Sequence, residues 1–143
     1  MSLNAARPGI APGHREKKAL QAAVALACLV PLGAGAAGVV LGAAMLGGAM
    51  VDGRGADMDS HFRYLSGLLL GIGLAFAALI PGIERHGRTF RLLAAIVALG
   101  GLARLGAALF VAAPFTGMTM ALVMELVVTP ALALWQARVA RRQ

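Results

Sequence analysis

Four apolar runs, each about 20 residues long and parted by short polar or Pro/Gly-rich connections, constrain this chain more than any other feature. A helix rises about 1.5 Å per residue, so each run is long enough to cross the roughly 30 Å hydrocarbon core of a bilayer. Inside lipid, every backbone N–H and C=O must be bonded within the protein, which for runs of this kind means helices. Composition agrees. Hydrophobic residues make up 59% of the 143, charged residues only 13%, and the mean hydropathy is +0.81. Soluble domains carry about 25% charged residues. The expected fold is all-α: an integral membrane four-helix bundle, antiparallel and up-down, with both termini cytoplasmic.

Residues 1–18 read as a disordered basic cytoplasmic tail, since Pro8, Pro12 and His14-Arg15-Glu16-Lys17-Lys18 offer nothing to bury. The transmembrane domain is expected over 19–138, with helices at about 20–41, 60–80, 91–112 and 118–138, and a basic tail at 139–143. The apolar run from Ala19 to about Met50 is roughly twice a signal-peptide core, so it reads as a retained helix. Pro31 lies inside it, Gly38 and Gly42 form a small-xxx-small pair, and Asp59-Ser60 offers an N-cap for the second helix. Gly67 and Gly71 in the second helix, and Gly100 and Gly101 in the third, are expected helix-packing positions.

Lys and Arg fix the orientation. The N-terminal tail holds four, the second connection three and the C-terminal tail three, against Arg54 and Arg63 on the other side. By the positive-inside rule both termini lie in the cytoplasm, with Trp135 at the interface. The cations neither form a patch nor interleave with aromatics, so the net charge of +7 does not indicate nucleic-acid binding. The single cysteine, Cys28, excludes an intrachain disulfide and reads as a small buried hydrophobe.

Two charges interrupt the apolar runs. Arg104 lies nine residues before Ala113 and Glu125 eight after Gly117, so both sit about 12–14 Å below the turn joining the last two helices. Ions at hydrocarbon depth are costly and face partners, so a guanidinium–carboxylate pair with two parallel hydrogen bonds is expected. Asp59, His61 and Arg63 could extend this candidate polar cluster toward the outer face. Asp57-x-Asp59-x-His61 has the alternation of a metal site in an extended chain, but no further ligands accompany it, and a solvated helix cap is preferred. No metal, cofactor or catalytic residue is assigned. G-x-S-x-G, Walker A, H-E-x-x-H and C-x-x-C arrangements are all missing.

Three motifs taken in order, Asp59-Ser60-His61-Phe62-Arg63-Tyr64-Leu65-Ser66-Gly67, Gly100-Gly101-Leu102-Ala103-Arg104-Leu105, and Glu125-Leu126-Val127-x-x-Pro130 with Trp135-Gln136, resemble the small bacterial membrane proteins grouped as domain of unknown function 4345. The resemblance covers about Ala19 to Arg142. It implies a four-helix integral membrane protein of no established activity. The expected role is a non-enzymatic accessory or assembly subunit of the inner membrane. Its partners would be membrane lipid and either its own copies or a larger membrane complex. The alternative is a small proton-coupled transporter, or a lipid- or quinone-binding protein, with a polar site opening outward.

Overall fold

The computed structural model describes residues 12–46, 55–110 and 116–142. These form α1 (Pro12–Leu41) with a 3₁₀ turn (Gly42–Leu46), α2 (Gly55–Leu79) with a 3₁₀ turn (Ile80–Gly82), and α3 (Gly87–Phe110). A last helix has two α-helical parts, α4 (Thr116–Val123) and α5 (Thr129–Ala140), joined by a π turn (Met124–Val128). The protein is all-α. Four helices are long and apolar enough to span a membrane: Gly13–Met45, Gly55–Gly82, Gly87–Phe110 and Gly117–Ala140.

Several boundaries move. The helix expected at 20–41 starts at Pro12, so residues 12–18 are helical rather than tail. Proline is well suited to that first turn, where its missing N–H has no partner to lose. The basic side chains that suggested a tail are held: Lys17 pairs with Glu84 at 3.0 Å, and Glu16 with Arg142 at 2.7 Å. Residues 1–11 lie outside the described residues. The helix expected at 60–80 starts at Gly55, which places Asp59 inside it rather than at its N-cap. The third helix starts at Gly87 rather than 91 and is described to Phe110, its expected end at 112 lying outside the described residues; the last helix continues to Ala140, with Val139 buried rather than in a tail.

The π turn has a local cause. Pro130 has no N–H, and its ring would clash with the carbonyl four residues back in a regular α-helix. Widening the preceding turn avoids this. Met124 O takes both the backbone N–H of Thr129, five residues on, and the Thr129 hydroxyl at 2.8 Å.

The core lies where α1 begins, the second connection turns and α5 ends. Leu20, Val24, Cys28, Phe76, Ile83, Phe90, Ala94 and Val139 are buried together. Phe76 and Phe90 meet edge-to-face at 5.0 Å, an arrangement worth about 0.5–1.5 kcal/mol beyond the area it buries. Buried amides tie the connection to its neighbours. Gln21 donates to Ile80 O at 2.7 Å, and the fully buried Gln136 donates to Ile83 O at 2.8 Å.

Glycine sets the contact between α1 and α2. A Cβ on Gly35 would lie 2.7 Å from the Leu70 nitrogen, one on Gly38 would collide with Ser66, and one on Gly73 would sit 3.2 Å from the Leu32 nitrogen. Of the four glycines expected to pack, Gly101 does: its Cβ would lie 2.8 Å from Glu125 Cβ and from Leu126. A Cβ on Gly67 would make only an ordinary contact with Val39, at 4.0 Å. Among the described residues nothing lies within 4 Å of a Cβ on Gly71 or Gly100, and both positions are exposed.

Candidate functional site

Gly101 lets α3 lie against the π turn, and this close approach brings Arg104, one turn on, to Glu125. Arg104 Nε donates to Glu125 Oε2 and Nη2 to Oε1, both at 3.0 Å. Two parallel bonds between a planar guanidinium and a carboxylate give geometric specificity as well as strength. The third edge of the guanidinium donates from Nη1 to the thioether sulfur of Met118, a weak acceptor. Arg104 keeps 32% of its side chain exposed and Glu125 18%.

Asp59 and Arg63 form a different group. Arg63 Nε donates to Asp59 Oδ2 at 2.7 Å, and Nη1 donates to the carbonyls of Val39 at 2.6 Å and Val40 at 2.9 Å. Asp59 Oδ1 accepts the Ala43 N–H at 2.8 Å. Those carbonyls are among the last of α1, which have no partner within the helix. Gly42, with φ of 61°, turns the chain there in the left-handed region that glycine adopts without a Cβ penalty. The pair is therefore a cap for α1 supplied by α2. No hydrogen bond or ion pair among the described residues joins it to Arg104 and Glu125. His61 is exposed and lies against Tyr64, ring centroids 6.5 Å apart. The single polar cluster drawn from the sequence is thus two separate groups plus an exposed histidine.

The alternation Asp57, Asp59, His61 carries no metal geometry either. All three lie on α2, where alternate residues diverge, and among the described residues no three His, Cys, Asp or Glu could hold an ion.

Sequence reasoning missed the polar anchors at the opposite end. Glu84 is mostly buried, with Lys17 at 3.0 Å and Arg85 at 3.5 Å. Burial is the largest single influence on its carboxyl and pushes the pKa up. A backbone hydrogen bond, Lys17 and Arg85 together outweigh burial and hold it below the ordinary value of 4.5. Glu84 Oε2 and Gln136 Oε1 are buried without a hydrogen-bond partner among the described residues. The signal for these anchors was available: Gln21 and Gln136 are lone amides at the edges of apolar runs, where a buried amide needs a carbonyl to meet.

A family model described as Domain of unknown function (DUF4345) matches residues 19–136. No curated protein and no solved structure matches the chain.

Proposed function

We propose that this chain, which belongs to the DUF4345 family, is a four-pass integral membrane protein acting as a non-enzymatic accessory or assembly subunit. In this reading the helices form an antiparallel up-down bundle in the cytoplasmic (inner) membrane. The N-terminus, the connection after α2 and the C-terminus face the cytoplasm. Support for the alternating direction comes from the pairs Leu32 with Gly73, Gly35 with Leu70 and Gly38 with Ser66, and from Gly87 with Gln136 and Gly101 with Glu125. Support for the orientation comes from the basic residues: Arg85, Arg88, Arg91, Arg138, Arg141 and Arg142 fall at one end with Lys17 and Lys18.

The observation that carries the accessory role is the closed geometry of Arg104 and Glu125. Each carboxylate oxygen already accepts an arginine N–H, so the pair acts as a strut fixing α3 against the π turn rather than as an acid or base waiting for substrate. The outward glycines Gly71 and Gly100 leave smooth surface on which another helix can pack closely. Extraction of the full chain in native-membrane nanodiscs, followed by native mass spectrometry, tests this role. The expected result is a mass exceeding one chain by a stoichiometric protein component, either a second copy or a different subunit. A single chain carrying only lipid would refute it.

A further inference from the structure

We infer that two copies of this chain meet along α3 at the level of Arg104, each covering the exposed edge of the other's ion pair. The inference rests on the accessory reading above and names the partner in it. The pair lies about 12–14 Å below the turn, near the middle of a hydrocarbon layer about 30 Å thick. An exposed leucine meets lipid there without cost, but an exposed ion does not. Arg104 nonetheless keeps 32% of its side chain exposed and Glu125 18%. Of the five guanidinium N–H groups, two bond to Glu125 and one meets the Met118 thioether, which leaves two without an acceptor among the described residues. Each Glu125 oxygen accepts one of these bonds and has a lone pair for another. The exposed edge therefore carries both donors and acceptors, which lipid tails cannot match.

The backbone beside this edge is open to close approach. Ile96, Gly100, Ala103 and Ala107 follow four- and three-residue steps, so they share one face of α3, and all four are exposed. A Cβ on Gly100, one turn before Arg104, would meet nothing within 4 Å among the described residues, whereas Gly101 beside it is covered by Glu125 and Leu126. The π turn thus fills one flank of α3, and the neighbouring flank presents only small side chains from Gly100 to Ala107. Another helix can come near enough there for hydrogen bonds to the pair. Charge and symmetry select a second copy. Two copies inserted in the same direction hold their pairs at the same depth. A two-fold axis between them, along the membrane normal, sets each guanidinium against the other copy's carboxylate. The spare N–H groups of one then meet the spare lone pairs of the other. Each pair is net neutral, so the quartet brings no unbalanced ion into the layer.

The test uses the full chain in a Cys28→Ser background. Gly100→Cys and Ala103→Cys are oxidised with copper phenanthroline in isolated membranes, and Gly71→Cys, an equally open position on α2, is the control. A disulfide-linked dimer is expected from positions 100 and 103 and not from 71. Dimer affinity is then read by energy transfer between labelled copies of the full chain diluted in lipid vesicles. Gly100→Leu should weaken it about tenfold or more, and so should Arg104→Met with Glu125→Met, the loss expected for one hydrogen bond or more. Melting of both variants confirms that the monomer stays folded. Equal cross-linking at position 71, or none at 100 and 103, would overturn the interface. Unchanged affinity in the folded double replacement would overturn the part played by the ion pair. One copy bound to a different subunit would overturn the second copy and leave the accessory role standing, whereas a lone chain would overturn both.

Discussion

Replacing Glu125 by Gln tests the strut directly, because the side chain keeps its shape and loses only its charge. In the native protein two N–H···O bonds of 3.0 Å hold the opposite charges together. At 3.0 Å and an effective dielectric near 20, Coulomb's law gives about 5–6 kcal/mol. Arg104 is 32% and Glu125 18% exposed, which returns part of this to the surroundings. Breaking a mostly covered pair from one side, so that a charge stays behind, typically costs 3–5 kcal/mol. The expected loss for Glu125→Gln is about 3 kcal/mol, the low end of that range, because glutamine can still accept one bond. Removing both charges with Arg104→Met and Glu125→Met should recover most of it, to within about 1 kcal/mol of the native protein, since no ion is then left unpaired. Equilibrium unfolding in mixed micelles, followed by helical circular dichroism, measures all three proteins. The reasoning is refuted if Glu125→Gln costs under about 0.5 kcal/mol, or if the double replacement is as unstable as the single one.

Other expectations follow from particular contacts. Asp59→Ala removes the acceptor for the Ala43 N–H and frees Arg63 from its carboxylate, so hydrogen exchange at Ala43 should accelerate relative to the native protein. Gly38→Leu should separate α1 from α2 and lower the melting temperature sharply, whereas Gly71→Leu, with nothing within 4 Å, should leave monomer stability within about 0.5 kcal/mol. Glu84 adds a pH dependence of known sign. Its folded-state pKa is held below the ordinary 4.5, so its contribution is fully present above that value and is lost as pH falls through the lowered one. Melting scans from pH 7 to pH 3 should show this loss in the native protein and a flatter profile in Glu84→Gln.

The helices were legible because long apolar runs admit few solutions in lipid, and counting from the turn put Arg104 and Glu125 at one level. Their hydrogen bonding needed one more fact, the close approach at Gly101, which glycine abundance alone does not locate. Gly35, Gly38 and Gly42 follow three- and four-residue steps along one face and form the contact with α2. Gly71 and Gly100 look equivalent in composition and face outward. Helix starts were misplaced for a consistent reason. Charged residues at 12–18 and 55–59 read as loop, yet Lys17, Glu16 and Asp59 are polar because they bind partners distant in sequence. The separation of Asp59 and Arg63 from Arg104 was likewise invisible, since residue counting gives depth and not direction. Thr129-Pro130 was visible in the sequence, but the π turn it imposes, with Glu125 inside, required the backbone.

Cysteine accessibility tests the four-pass, termini-inside arrangement most directly. In a Cys28→Ser background, single replacements Asp57→Cys, Arg85→Cys and Arg141→Cys are treated with a membrane-impermeant maleimide, first in intact cells and then after permeabilisation. The proposed arrangement predicts labelling at position 57 in intact cells, and labelling at positions 85 and 141 only once the membrane is opened. Labelling of positions 57 and 141 from the same side would contradict it.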